Sequence, residues 1–220
     1  MKIGVASMTT IAELIDAAHY LSSLGLSPGT TGNVSCKIDG RIYLSASGAT
    51  LGTLREDQLT IIDGESMTGP KPTKEAPLHL KFYELNPDAS AVIHLHSPAA
   101  SAYSCVKPWS EYSAFPPLSP YLVMKVGNVP SVDYQPPGSP TQADSLADVG
   151  VPFDSALLQN HGPITCGSVA QAVDRSIEIE NSAGLALTLA GMDARVLTDA
   201  ECEYLAQKNK RPWAYSDWRQ

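Results

Sequence analysis

Two histidines at alternate positions are the clearest candidates for chemistry in this sequence. His94 and His96 lie in the run AVIHLHS, whose apolar residues are typical of a β-strand. In a strand, side chains two residues apart point to the same face, about 6.6 Å apart along the chain. Two imidazoles in that arrangement can bind one metal ion when a third ligand comes from elsewhere. The pattern is short, and a half-exposed strand with a histidine-rich polar face would also produce it.

Two further candidates lie at the ends of other predicted elements. His161 follows the apolar run 156–159 and precedes Gly162 and Pro163, which places it in a turn after a strand. That position is typical of a metal ligand and equally of a turn histidine held by backbone hydrogen bonds. Glu75 lies at the start of a predicted helix, where it is a metal ligand, an acid-base group beside the metal, or only an acid stabilised by the helix dipole.

The two remaining histidines are interpreted as structural. His79 lies four residues after Glu75, so it shares that face of the predicted helix and is read as a packing or supporting group. His19 lies within the amphipathic first helix and is assigned no chemistry.

Three loops carry small and polar residues that are typical of phosphate binding. A glycine lets a ligand approach backbone N–H groups closely, and hydroxyl, amide and ammonium groups donate hydrogen bonds to phosphate oxygens. Each loop alone is also typical of an ordinary turn, so only their convergence would form a phosphate site. The candidate phosphate-site residues are Gly32, Asn33, Ser47, Gly48, Thr73 and Lys74.

The hydrophobic pattern predicts an α/β layered domain with a largely antiparallel sheet to position these residues. Short apolar runs predict strands over 34–39, 41–47, 59–63, 91–96, 121–126, 129–134 and 156–159. Helical periodicity predicts helices over 11–24, 75–85, 98–105, 169–189 and 199–208. Asp39-Gly40 between the first two strands predicts a hairpin. Regular βαβ alternation, the dinucleotide-binding glycine motif and the P-loop motif are all missing from the sequence, so nucleotide-binding folds are excluded.

No internal repeat or low-complexity tract divides the chain, so residues 1–220 are predicted to form a single domain. The proline-rich stretch 135–141 is read as a surface loop and not as a linker. The aromatic tail with Trp213, Tyr215 and Trp218 is interpreted as cover for the edge of the core. The alternative is that the tail closes over a neighbour's active site, with Tyr215 taking part.

Composition restricts the classes of partner and the compartment. Among 220 residues, 43% are hydrophobic and 17% charged, which is typical of a globular protein. The net charge of −8 disfavours nucleic acid and anionic membranes, so a phosphorylated substrate would need local cations. The four cysteines lack C-x-x-C spacing, which indicates reduced thiols. The N-terminal stretch is unlike a signal peptide and no apolar window is long enough for a membrane span, so we expect a cytoplasmic protein.

Taken together, the ordered motifs resemble the class II aldolase/adducin family from about residue 11 to residue 189. Within the family, the strings SPGTTGNVS, KPTKE, VIHLHS and QNHGPI look most like its 3-oxo-tetronate 4-phosphate decarboxylases. The matching motifs are Gly32-Asn33, Ser47-Gly48, Thr73-Lys74-Glu75, His94-Leu95-His96 and Asn160-His161-Gly162.

The resemblance implies a specific architecture and a set of site roles. The fold would be a three-layer α/β/α arrangement around a central, largely antiparallel sheet. One divalent metal ion per subunit, usually zinc, would be held by His94, His96 and His161, with Glu75 as the catalytic carboxylate. The three loops would hold the substrate phosphate. The family forms homotetramers with active sites between subunits, and Tyr121 is the residue we select as the tyrosine that a neighbour contributes to proton transfer.

The implied activity is that of a metal-dependent carbon–carbon lyase. It would decarboxylate a 3-oxo-tetronate 4-phosphate to dihydroxyacetone phosphate and carbon dioxide through a metal-stabilised enediolate. The alternative is an aldolase that cleaves a ketose 1-phosphate of the fuculose type to dihydroxyacetone phosphate and an aldehyde, through the same enediolate. A non-enzymatic interaction module of the adducin kind is disfavoured because it predicts a degraded metal site, whereas all three histidines and Glu75 are present.

Overall fold

The computed structural model describes residues 9–216, and these residues form an eight-stranded sheet covered by helices. Within these residues the strands are β1 (Asn33–Ile38), β2 (Arg41–Ser45), β3 (Leu59–Asp63), β4 (Ser66–Thr68), β5 (Ala91–His94), β6 (Ser131–Val132), β7 (Ser155–Leu158) and β8 (Gly162–Gly167). The helices are α1 (Ile11–Ser23), α2 (Ala76–Leu85), α3 (Pro98–Tyr103), α4 (Pro140–Asp144), α5 (Val169–Thr188) and α6 (Asp199–Asn209). The strand order is β4-β3-β2-β1-β5-β8-β7-β6.

The pairing is antiparallel at every junction of this sheet except the last, where β6 runs parallel to β7. Strands β1, β5 and β8 lie at its centre. Asn33 is paired with His94 on one side, and His94 is paired with Ile164 on the other. Residues that are distant in sequence therefore meet at the end of β5.

Helices cover both faces of the sheet. On one face Val92 and Ile164 pack against Phe82 of α2 in a single buried cluster. On the opposite face Ile93 packs with Leu21 of α1, and α5 lies across β5 and β8 on that side. Successive residues of β5 pack into opposite cores, because side chains along a strand point alternately to its two faces. The predicted three-layer α/β/α fold with a largely antiparallel sheet is confirmed.

Local sequence signals explain several element boundaries. Thr10 caps α1 by accepting a hydrogen bond from the Glu13 amide, while the Glu13 side chain accepts one from the Thr10 amide. The predicted hairpin between β1 and β2 is confirmed, since Asp39 and Gly40 have φ angles of 49° and 82°. Positive φ at both central residues matches the right-handed twist of the paired strands.

The prediction of a strand over 121–126 is wrong. Leu122–Val126 forms a π-helical turn, and its Leu122, Val123 and Val126 side chains are completely buried. The valine-rich run resembled a strand by composition, whereas burial of these side chains against α5 and α6 decides the local conformation. The following predicted strand, 129–134, shortens to β6.

Three of these elements were not predicted from the sequence: the short edge strand β4, strand β8 and helix α4. Strand β8 contains Gly162, Pro163 and Gly167, which are typical of turns, yet it lies in the middle of the sheet. Pro163 is tolerated as the second residue of the strand, where its carbonyl accepts a hydrogen bond from the Leu95 amide. Helix α4 begins at Pro140, inside the stretch 135–141 that was predicted to be a surface loop.

The tail is described as far as residue 216. Trp213 is buried with Val123, Cys202 and Ala206, which agrees with its interpretation as cover for the core. Tyr215 is exposed and donates a hydrogen bond to the Glu111 carboxylate. Trp218 lies outside the described residues. None of the helices within 9–216 has both the length and the apolar character that crossing a bilayer requires.

Candidate metal centre

Three imidazole rings converge at the end of β5. The Nε2 atom of His94 lies 3.2 Å from Nε2 of His96 and 3.3 Å from Nε2 of His161, and the last two atoms are 3.2 Å apart. A ring nitrogen is either a donor or an acceptor, so at least two of the three are alike and their contact is not a hydrogen bond. Mutual hydrogen bonding therefore does not account for the arrangement.

The Glu75 carboxylate completes the cluster. Its Oε1 atom lies 3.1 Å from His161 Nε2, and its Oε2 atom lies 3.5 Å from His94 Nε2. The side chain is buried, and Oε1 has no hydrogen-bond partner among the described residues. All four ligand atoms lie within 4.8 Å of one another. A buried carboxylate oxygen without a hydrogen bond is costly unless a cation or a substrate group satisfies it.

The spacing and charge of this donor set fit a divalent metal ion. Three nitrogens at 2.0–2.1 Å from one tetrahedral ion lie about 3.3–3.4 Å apart, close to the separations found here. Burial lowers the pKa of His94 to about 3, and burial together with the neighbouring His161 lowers the pKa of His96. Both rings are therefore neutral near pH 7, which is the form that binds metals. One carboxylate and three imidazoles offer a divalent ion the ligand types it prefers.

The fold orients His94 through its second ring nitrogen. His94 Nδ1 lies 2.9 Å from the Pro163 carbonyl oxygen, so Nδ1 carries the proton and donates it. The Nε2 atom of the neutral ring is then left with its lone pair facing the cluster. This hydrogen bond depends on the close pairing of β5 and β8, which continues past His94 through the Leu95 amide.

His161 is fixed by the turn between β7 and β8. Its backbone amide lies 3.0 Å from Ser104 Oγ, and Asn160 before it adopts a left-handed conformation with φ of 53°. A Cβ at Gly162 would collide with the Leu95 carbonyl oxygen, so the chain approaches β5 as closely as it does only with glycine there. The amide of Gln142 contacts His161 Nδ1 at 3.2 Å.

Glu75 is held at the N-terminal end of α2, where it is the N-cap residue. The Asn33 amide donates to Glu75 Oε2 at 2.7 Å. Burial by itself would raise the pKa of Glu75, but His94, His161 and the hydrogen bond from Asn33 hold the pKa well below its ordinary value. Glu75 is consequently a carboxylate anion at neutral pH.

A cavity of about 410 Å³ joins this cluster to the three candidate phosphate loops, two of which contribute a glycine. Gly32 has a φ of 77°, and a Cβ there would lie 2.9 Å from the His94 carbonyl oxygen, so the first loop packs directly on the end of β5. The convergence that a phosphate site requires is thus present. The lining residues include Gly32, Asn33, Ser47, Gly48, Thr73, Lys74, Glu75, His96 and His161.

Asn33 and Tyr121 differ from the other candidate residues in what their side chains contact. The amide of Asn33 is engaged by Glu75 and by His79, so its side chain is committed inside the protein. Tyr121 does not line the cavity, and its side chain is 54% exposed. Its role in catalysis stays a prediction that needs a neighbouring subunit.

Sequence reasoning did not assign the residues that support the cluster. Gln142 contacts His161, and Ser35 and Tyr83 lie with His79 behind Asn33. The spacing Glu75-x₃-His79-x₃-Tyr83 places three polar side chains on one helix face, and this pattern could have indicated a buried polar row. No comparable local signal indicated Gln142.

Comparison with known proteins identifies the family of this chain. A family model for the class II aldolase and adducin N-terminal domain matches residues 12–187. The chain belongs to this family.

Curated relatives and a solved structure cover most of the chain. A protein of Haemophilus influenzae named 3-oxo-tetronate 4-phosphate decarboxylase is 35% identical over 210 residues, which are 92% of this chain and 100% of that protein. An L-fuculose phosphate aldolase of Methanococcus vannielii is 32% identical over 160 residues, 72% of this chain and 84% of the relative. The crystal structure of YgbL from Klebsiella pneumoniae superimposes with a TM-score of 0.83 at 36% identity, covering 88% of this chain and 96% of the other.

Proposed function

We propose that this member of the class II aldolase/adducin family is a metal-dependent carbon–carbon lyase that decarboxylates a 3-oxo-tetronate 4-phosphate to dihydroxyacetone phosphate and carbon dioxide. The observation that carries the proposal is the single cavity that joins the Glu75 and histidine cluster to the glycine loops and Lys74. The substrate carries a phosphate at one end and a metal-chelating keto acid at the other. It therefore requires a site that combines phosphate-binding loops with a metal centre. The relative from Haemophilus influenzae, named for this reaction, supports the choice of substrate.

His94, His96 and His161 would hold the metal ion, which we propose to be zinc because three imidazoles and a carboxylate are typical zinc ligands. Bound there, the ion would supply Lewis acidity, stabilising negative charge on the substrate's ketone oxygen by several kcal/mol. The protein's own contribution is to hold three imidazole rings already aligned, with their Nε2 atoms 3.2–3.3 Å apart.

Lys74 and the three loops would bind the phosphate. Lys74 is exposed to the cavity entrance and provides a positive charge on a chain of net charge −8. Phosphate binding takes place away from the bond that breaks, so its binding energy can hold the reacting carbons in place. Ser47 and Thr73 add hydroxyl groups to the same wall.

The reaction breaks the bond between C1 and C2 of the substrate. Its electron pair moves into a C2–C3 double bond while the C3 ketone becomes an oxyanion, giving an enediolate and carbon dioxide. A proton then adds to C2, the C3 carbonyl re-forms, and dihydroxyacetone phosphate results. The protein must therefore stabilise one developing oxyanion and supply one proton.

Glu75 and Tyr121 are the groups we assign to these proton movements. Glu75 is an anion, so it begins as an acceptor that can hold the C2 hydroxyl in place. Tyr121 carries a phenolic proton, and a neighbouring subunit of a homotetramer would bring it to the cavity. Mixed oligomers of Glu75→Gln and Tyr121→Phe chains should regain activity that neither variant has alone, because some sites then combine an intact Glu75 with an intact Tyr121. Mixed oligomers as inactive as their parents would contradict a shared site.

An aldolase that cleaves a ketose 1-phosphate is the second candidate function. The relative from Methanococcus vannielii named L-fuculose phosphate aldolase supports it. The same enediolate forms in both reactions, since an aldehyde leaves in place of carbon dioxide. The first candidate is preferred because the decarboxylase of Haemophilus influenzae matches 92% of this chain at 35% identity, whereas the aldolase matches 72% at 32% identity.

A paired assay on the metal-loaded protein tests the proposal. One sample receives 3-oxo-tetronate 4-phosphate and the other receives fuculose 1-phosphate, and dihydroxyacetone phosphate is measured in both. Production of dihydroxyacetone phosphate and carbon dioxide from the oxo acid alone is the expected result. Product from fuculose 1-phosphate alone would replace the proposal by the aldolase, and no product from either would overturn both.

We also propose a cytoplasmic location. Cys36, Cys105 and Cys202 are free thiols, which agrees with a reducing compartment.

A further inference from the structure

A chain of hydrogen bonds runs behind the Glu75 carboxylate through the interior. Glu75 Oε2 is 2.7 Å from Asn33 Nδ2, and Asn33 Oδ1 is 2.5 Å from His79 Nε2. His79 Nδ1 is 2.8 Å from Ser35 Oγ, which is 3.0 Å from the Tyr83 hydroxyl. All five side chains are buried, and His79 and Ser35 are 0% exposed.

The direction of every bond in this chain follows from the carboxylate. Glu75 accepts only, so the Asn33 NH₂ group faces it and the Asn33 carbonyl oxygen faces His79. His79 must then donate from Nε2. Burial lowers the pKa of His79 to about 4, so the ring is neutral and its Nδ1 is bare. Ser35 consequently donates to Nδ1, which leaves its oxygen to accept from Tyr83.

The matched spacing of a helix and a strand builds this chain. Glu75, His79 and Tyr83 are four residues apart on one face of α2, about 6 Å per step. Asn33 and Ser35 are two residues apart on one face of β1, about 6.6 Å per step. The two rows therefore interleave, and each strand side chain lies between two helix side chains.

We propose that His79 is a positioning residue for Glu75, acting through the orientation of the Asn33 amide. Rotation of that amide by 180° would place Asn33 Oδ1 against Glu75 Oε2, two acceptors at hydrogen-bond distance. The Nε2–H donor of His79 disfavours this rotation because Asn33 must keep its carbonyl toward the ring. The Asn33 donor then fixes Oε2, while Oε1 faces His161 and the cavity. The inference rests on the proposed function, in which Glu75 contacts the substrate.

An orienting role differs from two other roles for a buried histidine. An amide does not pass on a proton as an imidazole or a hydroxyl does, so Asn33 ends any proton path from Tyr83 to Glu75. A histidine that only fills space would be replaceable by an apolar side chain of similar size. An orienting histidine is replaceable only by a side chain that keeps a donor at the Nε2 position.

His79→Gln and His79→Leu form the matched pair that tests the proposal. Glutamine places an NH₂ group near the position of Nε2, whereas leucine has a similar volume and no donor. We expect His79→Leu to lower kcat by about 10–100-fold with KM and metal content unchanged, and His79→Gln to keep kcat within about 3-fold of the parent. Equal loss in both variants, no loss in His79→Leu, or simultaneous loss of metal from it would overturn the proposal.

The tautomer of His79 gives a readout that needs no activity. In zinc-loaded protein with ¹⁵N-labelled histidine, the His79 signals are those that disappear in His79→Gln. We expect a proton on Nε2 and a bare Nδ1 at neutral pH. A proton on Nδ1, or on both nitrogens, would overturn the proposal even if His79→Leu fails to fold. Absence of turnover by the parent protein would refute the proposed function instead and leave this measurement valid.

Discussion

Two buried clusters of ionisable side chains within residues 9–216 are built on opposite principles. In the first, three imidazole nitrogens and a Glu75 oxygen, all of them able to bind a metal ion, lie within 4.8 Å of one another. In the second, Asp154 pairs with Arg175 at 3.1 Å and with Arg211. The two guanidinium groups of that cluster also donate to the carbonyl oxygens of Cys166 and Val126.

The difference teaches how to distinguish a binding centre from an internal ion pair. In the Asp154 cluster one carboxylate lies between two guanidinium groups, so attraction between opposite charges accounts for the contacts, with one positive charge in excess. In the histidine cluster, Glu75 Oε1 has no hydrogen bond from any residue of 9–216, and the ring nitrogens face one another. Contacts within the protein therefore do not account for that arrangement. Cavity size alone would select the Asp154 cluster as the binding centre, because a larger cavity of about 810 Å³ adjoins it.

Removal of the metal should have the largest effect on activity. Treatment with a chelator followed by desalting is expected to lower turnover by more than about 1,000-fold, because Lewis-acid stabilisation of several kcal/mol is lost. Titration with zinc should restore turnover at one ion per chain. Undiminished turnover by protein shown to be metal-free would contradict the contrast between the clusters.

Glu75→Gln should separate catalysis from metal binding. The amide keeps the size of the side chain but removes the acceptor charge, so kcat should fall by about 10²–10⁴-fold while much of the metal is retained. Metal analysis and steady-state kinetics on the same preparation measure both. Glu84→Gln is the matched control on an exposed position of α2, and it should be unchanged in kcat.

Asp154→Asn should affect stability and leave the chemistry intact. Two buried guanidinium groups would lose their carboxylate, so the free energy of unfolding should fall by about 3–5 kcal/mol. Denaturant unfolding measures this loss, and kcat of the folded variant below its unfolding transition should equal that of the parent. Asp63→Asn removes an exposed partner of Arg41 and should leave the free energy of unfolding nearly unchanged. A loss of kcat in Asp154→Asn without a loss of stability would reverse the assignments of the two clusters.

Lys74→Met should have the smallest of these effects. The effect should be on substrate binding. Loss of one charge-assisted hydrogen bond to phosphate is expected to raise KM about 10-fold with little change in kcat. Lys71→Met, three residues earlier, is the control and should keep the parent KM. A fall in kcat at unchanged KM would place Lys74 at the reacting carbons instead of the phosphate.

Much of the fold was predictable because its signals are local. The Asp39-Gly40 hairpin and the helix over α5 depend on neighbouring residues, and both predictions are confirmed within a few residues. Strand β8 and the π-helical turn at Leu122–Val126 were missed because long-range packing overrides their composition.

The candidate site shows the same division between features set by local sequence and features set by long-range packing. The sequence places the metal-binding candidates on predictable elements, and the structure brings His94, His96, His161 and Glu75 together. The supporting contacts depend on which elements become neighbours. Gln142 reaches His161 from a helix that the sequence did not predict. Tyr121 stays a prediction because its proposed partner residues belong to another subunit.

Metal analysis of His94→Ala/His96→Ala beside the parent protein tests the central claim most directly. We expect one divalent ion per chain in the parent and none in the double variant, with both proteins folded by circular dichroism. Asp154→Asn, measured in parallel, should retain one ion per chain because its cluster is an internal ion pair. Full metal content in the double histidine variant would contradict the assignment of this cluster as the metal centre.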